Sequence, residues 1–102
     1  VKPQDLALER AVARELMDAP VYRVTLFHGD YVVGEYDSKH EAMLKQWEEF
    51  NLQRRAFPHM DVEAEISAIY SDGRREVGRI LIYTKDGEWG TMKPNGVWVQ
   101  GA

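Results

Sequence analysis

No cysteine occurs in these 102 residues, so neither a disulfide nor a thiolate-bound metal holds the chain, and a reducing compartment suits it. Long apolar runs are missing too. None approaches the roughly 20 residues of a membrane-crossing helix. The opening stretch VKPQDLALERAV carries acids inside its first apolar segment, unlike a signal peptide. Histidines occur only at 28, 40 and 59, so the i, i+4 pair of a helical zinc site is absent. There is no glycine-rich phosphate loop and no nucleophile elbow. A basic face is lacking as well. The formal net charge is −4, and residues 57–70 carry −3 of it through Asp61, Glu63 and Glu65. Binding duplex nucleic acid needs clustered basic residues to release counterions, so duplex binding is not expected. Together these absences predict a soluble cytoplasmic protein with no metal, cofactor or membrane association.

What is present is an ordinary globular composition, 44% hydrophobic and 29% charged. That suffices for one core and therefore for one domain over residues 1–102. Leu8, Val12 and Leu16 recur every fourth residue, flanked by Leu6, Ala13 and Met17. This spacing predicts an amphipathic helix over about 4–18, stopped by Pro20. VYRVTLF (21–27) and YVVGEY (31–36) are rich in strand formers and flank His28-Gly29-Asp30, which predicts a hairpin. Ser38-Lys39-His40-Glu41 has the S-x-x-E pattern of a capping box. It starts a helix whose expected apolar stripe is Met43, Leu44, Trp47 and Phe50, ending near Leu52–Arg55.

Val62, Ala64, Ile66 and Ala68 then alternate with Glu63, Glu65 and Ser67, the period of a strand with one dry face. On this pattern Glu63 and Glu65 face solvent. Asp72-Gly73, Asp86-Gly87 and Asn95-Gly96 are hairpin signals separating EVGRILIYT (76–84), EWGTM (88–92) and VWVQ (97–100). The first of these turns admits two registers. A two-residue turn sets Ala64 opposite Leu81 and Ile66 opposite Arg79. A three-residue loop with Gly73 left-handed sets Ala64 opposite Ile80 and Ile66 opposite Gly78, and is preferred because it keeps Arg79 off the dry face. The fold class is α+β. The expected order is helix, hairpin, helix and four-stranded meander, with the helices packed on a curved antiparallel sheet.

Several phrases are similar to those of a known superfamily. A hairpin leads through Gly34-Glu35 into the helix Glu41-Ala42-Met43-Leu44-Lys45-Gln46-Trp47. Ala56-Phe57-Pro58-His59-Met60 resembles an "FPD" connection, and Gly90-Thr91-Met92 a "GTH"-like segment. The chain thus resembles the SnoaL-like proteins, which share a cone-shaped fold with nuclear transport factor, ketosteroid isomerases and small polyketide cyclases. The resemblance implies an enzyme acting on a small apolar carbonyl or epoxide compound in a pocket between sheet and helix. It also implies a shortened member. His59 stands where the family phrase has an acid, and Ala102 falls where the last long strand, which often carries a catalytic acid, would begin.

A catalytic reading has His28, Asp30, His59 and Asp61 as acid–base candidates, with Tyr22 or Tyr83 as donors to a developing oxyanion. A second chemical feature is aromatic. Trp47, Tyr83, Trp89 and Trp98, with Arg79, have the composition of a ligand site or an interface hot spot. The leading reading is a binding or interaction protein, homodimeric through its later strands, and an enzyme with a small apolar ligand is the alternative.

Overall fold

In a computed structural model, residues 19–101 are described, so the helix expected over 4–18 lies outside the described residues. The strands are β1 (Val21–Leu26), β2 (Tyr31–Tyr36), β3 (Val62–Ile69), β4 (Arg75–Tyr83), β5 (Trp89–Met92) and β6 (Trp98–Gln100), with α1 (Lys39–Ala56) between β2 and β3. They form one antiparallel sheet in the order β2-β1-β3-β4-β5-β6. The expected meander is β3 to β6, and the first hairpin joins the same sheet by pairing β1 with β3. The fold is α+β, with α1 on one face of a six-stranded sheet.

Local chemistry explains the boundaries. Ser38 caps α1, its hydroxyl accepting from the Glu41 N–H at 3.3 Å, while Arg54 and Arg55 lie in the last turn beside the negative end of the dipole. All three meander turns close alike. The Tyr70 N–H donates to the Arg74 carbonyl and the Gly73 N–H to the Tyr70 carbonyl; the same pair of bonds recurs at Thr84–Glu88 and Lys93–Val97. Each turn places its glycine at positive φ (Gly73 +88°, Gly87 +89°, Gly96 +84°), a conformation that side chains with a Cβ resist.

The core lies between α1 and the sheet. Leu26, Phe50, Val62, Ala64, Leu81 and Tyr83 form one buried cluster, and Val24, Ala42 and Ile66 continue it. The expected helical stripe is corrected here. The residues of α1 that are buried are Ala42, Gln46, Phe50 and Asn51, whereas Leu44 is 49% exposed. The centre of the packed face therefore runs 42–46–50, with Met43 and Trp47 on its flank. A polar residue at 46 hid that row from a search for apolar side chains.

The register of β3 on β4 is a second correction. Near the turn, Ile69 faces Arg75 and Ser67 faces Val77, the spacing of the three-residue loop. Between Glu65 and Ser67 the register slips, and beyond it Ala64 pairs with Leu81, not Ile80. Both candidate registers thus exist, one on each side of a bulge. At the bulge, a Cβ on Gly78 would come within 2.9 Å of Ile66 Cγ2, so only glycine fits there without movement.

Arg79 falls at the bulge and points to the helix side, contrary to expectation. Its Nε donates to Gln46 Oε1 at 2.7 Å and its guanidinium also reaches the Met43 carbonyl at 2.9 Å. Gln46, fully buried, donates through Nε2 to the carbonyls of Ala64 and Arg79, each at 2.9 Å. Every polar group of Gln46 is matched, which makes its burial tolerable.

Candidate functional site

The helix-free face carries the residues that alternate away from the core. One row crosses all six strands through the pairs Val32–Thr25, Thr25–Glu65, Glu65–Ile80, Ile80–Met92 and Met92–Trp98. Toward β1 and β3 the face is polar, with Arg23 on Glu35 of β2 at 2.9 Å and Arg75, at the start of β4, paired with Glu65. Its β4–β6 half is apolar. Val77 is 42% and Trp98 41% exposed, and Ile80 and Met92 are half-buried. Gly90 has no side chain beneath the indole of Trp98, which lies over it against the sheet.

A second feature opens at the end of the same face, beside the first hairpin turn. This depression of about 370 Å³ is lined by Phe27, His28, Asp30, Asp61, Val62, Glu63, Ile82, Tyr83 and Thr84. It gathers three of the four acid–base candidates, His28, Asp30 and Asp61. His59 lies apart from it, exposed in the connection between α1 and β3. Asp61 has a structural contact as well, since its Oδ1 accepts from the Lys85 N–H at 2.8 Å. The hairpin turn is unusual in its backbone: Phe27 (φ 54°) and His28 (φ 56°) both enter the left-handed region ahead of Gly29 (φ 91°). That is a strained setting for a phenylalanine.

Glu63 is the group that the alternating pattern misplaced in depth. It and Glu65 do alternate away from the core, yet Glu63 is only 7% exposed and Glu65 is half-buried. The turn folds His28 over Glu63, with His28 Nδ1 2.6 Å from Oε2, while Glu65 lies among Arg75 and Ser67. Burial pushes the Glu63 carboxyl above the usual carboxylate range. His28, by charge and by its main-chain N–H, pulls the other way without winning, and Glu65 adds to the rise. Glu63 Oε1 is buried without a hydrogen-bond partner, as is Thr84 Oγ1. The −3 charge of residues 57–70 was the one sequence signal that something acidic is concentrated here.

The aromatic candidates divide. Trp89 packs among Trp47 (5.4 Å between ring centroids) and Phe50 (6.0 Å), with Arg54 over its ring. Tyr83 is buried, its hydroxyl donating to the Pro58 carbonyl at 2.6 Å. Arg79 is engaged with α1. Trp98 alone of these five lies on the helix-free face. Between α1 and the sheet, Leu26, Phe50, Leu81 and Tyr83 are in contact as core. A shallow groove of about 240 Å³ remains over His40, Met43, Leu44, Trp47 and Arg79.

Comparison with protein-family models, curated proteins and solved structures finds no match for this chain. Among the described residues, no helix is long and apolar enough to cross a membrane, and no three His, Asp or Glu side chains are grouped to hold a metal ion.

Proposed function

We propose that this chain is a non-enzymatic interaction protein of a reducing cytoplasm that pairs with a second copy of itself through the helix-free face of β4–β6. The observation carrying this reading is the Ile80–Met92–Trp98 row, an apolar band on adjacent strands in which Trp98 is 41% exposed and Ile80 and Met92 are half-buried among the described residues. Val97, Trp98 and Val99 are each more than 40% exposed, and β6 pairs on one side only among the described residues. An edge strand of this composition associates unless something blunts it.

A second copy fits better than a charged partner. The polar half of the face holds Arg23 beside Glu35 and Arg75 beside Glu65, both signs in close pairs. Charges already paired within the chain do not repel a second copy across a two-fold axis, whereas nucleic acid would call for one sign. Trp98, flat over Gly90, supplies the kind of aromatic anchor that dominates such contacts.

The test is sedimentation at tens of micromolar. The reading requires a wild-type dimer and folded, monomeric Trp98→Ala and Met92→Asp variants. A monomeric wild type, or a Trp98→Ala chain that remains dimeric, removes this face from the interface.

A further inference from the structure

The depression at the first hairpin has a composition that sheet packing does not require. Among its lining residues Phe27 and Ile82 are apolar and Val62 and Tyr83 belong to the core behind it, while Asp30, Asp61 and Glu63 are joined by His28 and by no lysine or arginine. Two oxygens of its lining residues, Glu63 Oε1 and Thr84 Oγ1, are buried with no hydrogen-bond partner. A buried carboxylate oxygen without a donor is costly, and Glu63, only 7% exposed, bears that cost. The group covering it, His28, has a side chain that is 86% exposed on a left-handed turn. An incoming donor can therefore turn the imidazole aside without opening the core.

We propose that this depression is a binding site for a small organic cation, a primary ammonium on a short apolar body. Three properties of the site select that chemistry. An ammonium offers three donors and no acceptor, which suits the unmatched Glu63 Oε1 and the lone pairs of the Thr84 hydroxyl. Asp30, Asp61 and Glu63 all line the depression, so their fields add for a cation and oppose any anion. Phe27 and Ile82 offer apolar side chains for a short apolar body, and an aromatic ring such as that of Phe27 favours a neighbouring cation. A neutral apolar molecule fills the same walls but leaves both buried oxygens unmatched. The site is independent of self-association, which uses the β4–β6 band.

The probes are benzylamine and benzyl alcohol, which have nearly the same shape but differ in charge at neutral pH. Binding is followed by amide chemical-shift changes in two-dimensional nitrogen–proton spectra at physiological salt. Benzylamine is expected to move the amides of His28, Val62, Glu63 and Thr84 with an affinity in the millimolar range, about tenfold tighter than benzyl alcohol. Glu63→Gln should erase that preference. Asp30→Asn, at an exposed turn position remote from the core, should reduce it about two- to fivefold and stands as the test should Glu63→Gln not fold. The proposal fails if the two probes bind equally, if the shifts lie elsewhere or are absent, or if the amine preference survives both substitutions.

Discussion

Gln46→Leu is the substitution that most directly probes how α1 is fixed to the sheet. The leucine keeps the volume and the helix propensity, so the change isolates hydrogen bonding. It strips a donor from the carbonyls of Ala64 and Arg79 and an acceptor from Arg79 Nε, bonds of 2.9, 2.9 and 2.7 Å. Each buried polar group left unmatched costs about 1–3 kcal/mol. Arg79 is half-buried and recovers some hydration, and the leucine gains some transfer energy. The net loss should therefore be about 3 kcal/mol. At about 4–8 °C per kcal/mol for a domain of this size, the melting temperature should fall by roughly 12–24 °C. Urea unfolding followed by tryptophan fluorescence measures it, with Trp89 beside Phe50 as the reporter. Arg79→Met in the Gln46→Leu background removes the stranded guanidinium, so the double variant should be less destabilised than the sum of the singles by about 1–2 kcal/mol. A Gln46→Leu protein within about 0.5 kcal/mol of wild type, or strict additivity in the cycle, would refute the claim that this side chain fixes α1 to the sheet.

Three further outcomes are expected. Ser38→Ala removes the side-chain acceptor at the start of α1 and should cost about 1 kcal/mol, seen as a lower midpoint in thermal melts; an unchanged midpoint would show that the cap is unimportant. Gly90→Ala would set a Cβ against the Trp98 ring and 2.6 Å from the Val99 carbonyl, so β6 must shift, with a loss of about 1–3 kcal/mol and increased hydrogen exchange at Thr91 and Met92. Glu63 has a folded-state pKa above its ordinary value of 4.5, so between those two values the folded chain binds more protons than the unfolded one. Stability therefore falls as pH rises through that window. Glu63→Gln, which does not titrate, should gain on wild type as pH is raised from about 4.5 to neutrality. Paired thermal melts across that range check the sign, and a trend in the opposite direction would mean that the His28 contact outweighs burial.

The features legible in the sequence are those that depend on chain neighbours. Ser38 caps a helix because its hydroxyl reaches an amide three residues on. Gly73, Gly87 and Gly96 close turns because their own φ is positive. Val62 to Ala68 alternate because a strand alternates whatever lies beside it. From these rules come the α+β class, the hairpin, the helix and the four-stranded meander. His28, Asp30 and Asp61 could be named as acid–base candidates for the same reason, since residue type and turn position are local properties.

Depth, register and partnership are not local. The alternating pattern assigned Glu63 and Glu65 a face but could not say that the hairpin turn would fold over that face and bury a carboxylate. Arg79 sits on the dry side because Gln46, 33 residues away in sequence, meets it there. The bulge between Glu65 and Ser67 let both registers coexist, an outcome that no reading of the turn alone could reach. In each case the deciding term is the cost of leaving a polar group without a partner, and partners are chosen by packing α1 and six strands together. A sequence displays which groups need a partner, whereas only tertiary structure brings the partner within about 3 Å of them.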